Sequence, residues 1–312
     1  MGKFIDFNEF LRDLNSRTYQ EQLRLTPDAA VADAAEFEKM RAHLLSLYSG
    51  VNVRHSFLAP GGQYIDCVPV TEQPSLRGTG ASPATPPNPP LMDRPKAPQA
   101  PADRQAGGPA SREVTPRLGP GLHDVFGNET CCPKGAIPVR RITLDQLSRY
   151  EDLADFFRKG RRTRGKKAVA QFHYGIAMQD ADNIGAYATL NTWWPQPGEG
   201  QHSISQMWVT GGTGKNFQTL EGGWSVEPVH FHTTIAVPFV YWTADDYQAT
   251  GGYNLETKGF VQVTRNVILG VDEFPTGVRD GTQYQFDFMY YRDPSTGNWW
   301  FYLKGTDGLP HE

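Results

Sequence analysis

The residue best suited to chemistry is Glu221, in the stretch LEGGWSVEP at 220–228. Leu220, Trp224 and Val226 share one parity; Glu221, Ser225 and Glu227 share the other. If the stretch is a strand with its apolar parity in a core, Glu221 turns to the opposite face. Gly222 and Gly223 would then leave room beside it for a substrate backbone. A carboxylate on an aromatic-walled sheet face is partly desolvated, which suits it to acid–base work. Glu227, next to Pro228 near the strand end, is expected to be solvated. The ordinary alternative for Glu221 is a solvent-facing strand glutamate, and the residues alone leave both readings open.

Other chemistries have weaker support. His230 and His232 make an H-x-H that, on one strand face, could join His202 or His173 around a metal. No cysteine or carboxylate cluster completes that set, so no metal and no cofactor is expected. GxSxG, HExxH and P-loop patterns do not occur, and neither does GxGxxG in a strand–helix setting. GGTGKN at 211–216 lacks the P-loop spacing and reads as a turn. The seven tryptophans include Trp193, Trp194, Trp208, Trp224 and Trp242. On a sheet they could form a groove for sugars or proline-rich peptide, though packing between two sheets accounts for about half of them.

The elements that would position these residues follow from patterning. The chain has 312 residues, 38% hydrophobic, with a net charge of −4. It is long enough for one or two domains and has no broad basic excess, which argues against a nucleic-acid partner. No apolar run approaches the ~20 residues of a membrane span. The start, MGKFIDFNEFLRDLNSR, has no signal-peptide core. Residues 4–48 have helical periodicity, with Thr26-Pro27-Asp28 as a helix start. Residues 50–72 look extended. Residues 81–120 hold eleven of the 24 prolines and read as a polyproline-like linker. LDQLSRYEDLADFFRKG is amphipathic. RKGRRTRGKK at 158–167 reads as a solvated, protease-accessible connector rather than a nucleic-acid arm. From 168 onward, short alternating segments such as TQYQFDFMYY, separated by turn residues, predict an antiparallel β-sandwich. Of the three cysteines, Cys67 could pair with Cys131 or with Cys132; composition alone favours free thiols.

These segments together resemble the neprosin family of glutamic peptidases. The matching stretches are HYG, AYATLNTWWP, SISQMWVTGG, LEGGWSVEP, FVYWTADDYQATGGYNLETKGFVQV and DPSTGNWWFYL, with DCVPVTEQPSLR and CPKGAIPVRR upstream. The resemblance implies secreted, acid-active, proline-directed endopeptidases made as zymogens, with an N-terminal activation domain and a catalytic glutamate pair. Glu221 stands at one of the two glutamates. It also implies a Cys67–Cys132 bridge and leaves Cys131 over. The second glutamate belongs to a WGGE-like motif downstream of GNWW, and nothing like it occurs here. The expectation is a chain truncated at its C-terminus, or one that has lost the second acid and the activity with it. Plant members place cysteines where this chain has Gly252 and Thr257.

The reading is therefore a mainly β peptidase precursor. Residues 1–75 form a helical then extended activation region, 76–120 a disordered Pro-rich linker open to self-processing, 121–167 the remainder of the activation region with the basic connector, and 168–312 an incomplete peptidase sandwich. Glu221 is the catalytic candidate. Gln206, Trp208, Trp224, Tyr241 and Trp242 are candidates for lining the cleft. The expected partner is a proline-containing peptide or protein, attacked by water with Glu assistance at acidic pH. The rival is a non-catalytic, aromatic-faced sandwich that binds carbohydrate or Pro-rich peptide. The compartment is left open.

Overall fold

In the computed structural model of the chain, residues 4–88, 111–113, 124, 126–128, 131–159, 172–198, 200–271, 275–304 and 310–311 are described. Three helices lead. α1 (Phe7–Ser16) starts at Asp6, whose side chain accepts from Glu9 N. α2 (Tyr19–Leu25) starts with a reciprocal Thr18/Glu21 capping box. α3 (Ala34–Tyr48) starts at Asp33, which accepts from Ala35 N and Glu36 N. Thr26-Pro27-Asp28 is not a helix start. Thr26 ends α2, since Pro27 cannot extend it, and Asp33 satisfies the free amides of α3 instead. Phe7, Phe10, Leu14, Phe37, Met40, Leu44 and Tyr48 bury their shared face.

A small antiparallel sheet follows, of β1 (Ser56–Leu58), β2 (Tyr64–Pro69) and, after β3 (Ser111–Glu113), β4 (Ala136–Arg140), in the order β1-β2-β4. The amphipathic run after it splits into α4 (Leu144–Leu147), capped by Thr143, and α5 (Leu153–Phe157), capped by Asp152. Leu144, Leu147, Tyr150 and Phe156 join the core of the first three helices.

The rest is β: β5 (Gly185–Asn191), β6 (Ser203–Gly211), β7 (Gln218–Val226), the one-turn α6 (Pro228–Phe231), β8 (Val237–Thr243), β9 (Gly252–Tyr253), β10 (Gln283–Arg292), β11 (Trp299–Lys304) and β12 (Pro310–His311). One antiparallel sheet runs β6-β7-β8-β9; the other runs β12-β11-β10-β3, with β5 also on β10. Trp224, Val226, Val240, Phe288 and Leu303 pack between them with Val267 and Leu269. The architecture is the mainly β sandwich with helices ahead of it that the period-2 pattern predicts. Among the described residues no helix is long and apolar enough to cross a membrane. β3 lies inside the Pro-rich stretch, and its backbone pairs in parallel with Gln283–Gln285 of β10. Most of residues 81–120, and residues 160–167 of the basic run, lie outside the described residues.

Polar links and a packed disulfide seat the N-terminal elements on the sandwich. The Gln73 side chain donates to Gln262 O at 2.9 Å and accepts from Gln262 N at 2.8 Å, mimicking a ladder pair. Arg140 meets Glu256 at 2.6 Å, and Glu256 also meets His230 Nε2 at 2.9 Å, all buried. Burial alone would raise the Glu256 carboxyl pKa; His230 and Arg140 more than offset it and hold it below the usual value. Cys67 and Cys132 form a disulfide, buried against Ile268 and Val271. Cys131 is exposed and free. The bridge closes a separation of 65 residues. Its reduction is expected to lower stability by about 2–4 kcal/mol. Melting with and without reductant checks this, in a Cys131→Ser background that prevents exchange; an unchanged melting temperature would contradict it.

Candidate active site

β7 is a central strand, flanked by β6 and β8, so backbone pairing on both sides holds its side chains in place. Trp208 of β6 and Tyr241 of β8 stand directly opposite Glu221, and Gln206 stands opposite Gly223. Directly opposed residues share a face. Glu221, Gln206, Trp208 and Tyr241 therefore occupy one face, turned away from the second sheet. Trp224 and Trp242 have the other parity. Trp224 is in the inter-sheet core and its indole donates to Asn191 O at 2.8 Å. An added Cβ at Gly259 would lie 2.1 Å from the Trp242 ring. These two tryptophans, expected in the cleft, do not line it; strand parity turns them away.

The glycine pair also has a different role from the one expected. A Cβ on Gly222 would lie 2.7 Å from Phe301 Cε2 and 3.1 Å from the Tyr290 hydroxyl, so this glycine lets the second sheet approach. Tyr290 uses that approach to donate to the Glu221 carbonyl at 2.6 Å. A Cβ on Gly223 would lie 2.1 Å from Ser205 O, so it permits close contact with β6. The glycines seat the strand rather than open space for substrate.

Glu221 is fully buried, not a solvent-facing strand residue. Its Oε1 accepts from Thr219 Oγ1 at 2.8 Å and from the Tyr247 hydroxyl at 2.6 Å. Its Oε2 pairs with the Lys159 ammonium, which also donates to Gln206 Oε1. Lys159 lies 4.7 Å from the Phe239 ring centre and 5.4 Å from that of Tyr241, so its charge is shared with aromatic faces. Burial pulls the Lys159 pKa below the usual lysine value, against the opposing pull of Glu221. The Tyr241 hydroxyl donates to Phe157 O at 3.1 Å, which pins the end of α5 beside the site. Trp208 remains 38% exposed at the rim, with Tyr174 edge-on at 6.3 Å.

Tyr247 comes from the turn after β8. Asp245 organises that turn, accepting from the backbone of Gln248, Ala249 and Thr250 and from the Thr250 hydroxyl. These bonds, the Thr250 hydroxyl's foremost, pull its pKa down to about 2. Asp246 and Tyr247 both adopt left-handed backbone, with φ of 58° and 59°. That conformation is costly for residues other than glycine, and such strain concentrates at functional sites. Burial, then the charge of Glu221, push the Tyr247 hydroxyl upward in pKa, which keeps it a donor.

Three sequence expectations are corrected around the site. Lys159, read as part of a solvated run, is only 10% exposed at its side chain, because the end of α5 delivers it to a carboxylate. Glu227 is buried, not solvated, and accepts from the Tyr253 hydroxyl at 3.2 Å. His230 and His232 do not share a strand face. His230 lies within α6 among Glu256, Tyr150 and Phe156, and His232 caps that helix in left-handed backbone. Pro228 at the first helical position turns the chain here. Thr219, Tyr247 and Lys159 were missed. Thr219 had a readable signal, since it shares the parity of Glu221 two residues away.

The positions where plant members of the resembling family place cysteines stand in contact, since a Cβ on Gly252 would lie 2.6 Å from Thr257 Cγ2. Residues 199–309 match the family model described as Neprosin. That stretch holds β6 to β11, including the whole of β7 with Glu221 and the turn that supplies Tyr247. The match supports neprosin family membership for the stretch that holds Glu221.

Proposed function

We propose that the chain is the latent precursor of a glutamic endopeptidase that cleaves proline-containing peptides at acidic pH, with Glu221 assisting the attack of water. The observation that carries this reading is the buried Glu221–Lys159 pair. A carboxylate ringed by Thr219, Tyr247 and Lys159, on a face walled by Tyr241 and Trp208, is held in one orientation, as catalysis requires. A neprosin domain is peptidase-type, which supports the reaction class.

Lys159 belongs to the region before the sandwich and occupies the oxygen with which Glu221 would take a proton from water. On this reading residues 1–75 and 121–160 form the activation region and residues 168–312 the peptidase unit. The basic residues that follow Lys159 make a cleavage site whose cutting releases the latch. The freed carboxylate then takes a proton from water attacking the scissile carbonyl, with Tyr247 and Thr219 keeping it aligned. The second acid of the family pattern is absent from these 312 residues. In this chain alone the leaving amine takes its proton from acidic solvent, and turnover is slow.

The test is to nick the 158–167 run with a trypsin-like protease and assay a proline-containing peptide at acidic pH. Hydrolysis is expected only after nicking, and Glu221→Gln should reduce it at least about a hundredfold. A nicked wild-type chain no faster than Glu221→Gln would overturn the peptidase reading. If that chain still bound the peptide, the non-catalytic binding sandwich would take its place.

A further inference from the structure

The second sheet has an outer face on the side of the sandwich away from Glu221. In β10 and β11, Phe288, Phe301 and Leu303 point into the inter-sheet core. Met289, Tyr291, Trp300 and Tyr302 alternate to the outside, joined by Tyr187 of β5 opposite Met289. This outward cluster is not open to solvent: Met289, Trp300 and Tyr302 are buried. Part of the cover is the start of the Pro-rich stretch, because the Tyr302 hydroxyl donates to Pro87 O at 3.1 Å.

The covering sequence is Ala81-Ser-Pro-Ala-Thr-Pro-Pro-Asn88. Pro83, Pro86 and Pro87 are half-buried, while Ala81, Ser82, Ala84, Thr85 and Asn88 are exposed. Prolines three apart fall on one edge of a polyproline II helix, which has three residues per turn. Proline also presets the backbone for that helix, so little conformational entropy is lost on docking. Such segments carry unsatisfied carbonyls and flat ring faces, and they are recognised by aromatic surfaces with N–H and O–H donors. Trp300 supplies a second donor. Its indole nitrogen is buried and has no hydrogen-bond partner among the described residues, although the whole residue is only 9% exposed.

We propose that the outer face of β10 and β11 is a polyproline-binding surface that recognises PxxP segments through Trp300 and Tyr302. In this chain it is occupied by the chain's own Pro83–Pro87 segment. Tyr302 holds one carbonyl, and the Trp300 N–H is the donor available to a second carbonyl of a proline-rich ligand. The surface is independent of the chemistry assigned to Glu221, since the two lie on opposite outer faces of the sandwich.

The test uses the full chain with Pro83, Pro86 and Pro87 replaced by alanine to clear the face. The probe is the synthetic peptide ASPATPPNPP, titrated by calorimetry. The cleared chain should bind it at least tenfold more tightly than the wild type, whose own segment competes. Tyr302→Phe in the cleared background removes a single oxygen and should weaken binding at least fivefold. Trp300→Phe should do the same, and a peptide with alanine at the three prolines should bind at least tenfold more weakly. Binding no tighter in the cleared chain than in the wild type, or indifference to Tyr302→Phe in a variant that melts normally, would overturn the proposal.

Discussion

Lys159→Met in the intact chain is expected to lower folding stability by about 3–5 kcal/mol, the cost of leaving a buried charge without its partner. Glu221 is fully buried and, among the described residues, keeps the Thr219 and Tyr247 donors once the ammonium is gone. Glu221→Gln should cost a similar amount for the mirror reason. Lys159 would then sit against the Phe239 and Tyr241 rings facing a neutral amide. The double variant, Lys159→Met with Glu221→Gln, leaves no lone charge and should recover most of the loss. Denaturant unfolding of the four proteins gives the coupling energy directly. Additive single losses would mean that the two groups do not act as a pair, and the latch argument would fail with it. The cycle needs no turnover, so it tests the latch independently of the peptidase assay.

Glu256→Gln should also cost about 3–5 kcal/mol, because it strands the buried Arg140 guanidinium between the N-terminal elements and the sandwich. This loss carries a pH signature. The Glu256 carboxyl is held below its ordinary value of 4.5, with burial opposed and outweighed by His230 and Arg140. A carboxyl with a depressed folded value contributes stability that is fully present above 4.5 and is lost as pH falls through the folded value. The gap between wild type and variant should therefore shrink as pH falls below 4.5. Unfolding curves at pH 7, 5 and 3 measure it. A gap at pH 3 as wide as at pH 7 would show that the charge of Glu256 is not what matters.

The local patterns were readable because their causes are local. Alternation in TQYQFDFMYY gives β10, and the parity of Leu220, Trp224 and Val226 places Trp224 in the core. Trp224 could have been excluded from the cleft on that parity alone. So could Trp242, paired with Leu220 in the register of β7 and β8. The placement of Glu221, Gln206, Trp208 and Tyr241 on one face follows from register, which alternation constrains but does not set. The glycines were misjudged for a different reason. Their neighbours, Phe301, Tyr290 and Ser205, come from distant strands, and no sequence window holds both sides of those contacts.

By itself, the sequence determined a β-rich chain with helices ahead of it, a carboxylate on the face of a strand opposite the core parity, and the resemblance to neprosins. Those features depend on side-chain period, turn residues and motif order, all written along the chain. The tertiary structure alone decided that Glu221 is buried, that Lys159, 62 residues away, is its partner, and that Tyr247 reaches it from a strained turn. It also decided that Tyr302 meets Pro87, 215 residues apart. A basic residue in a polar run and a proline in a low-complexity stretch look solvated in one dimension. They leave solvent, in part or nearly whole, only where the fold brings an opposite charge or an aromatic donor to meet them.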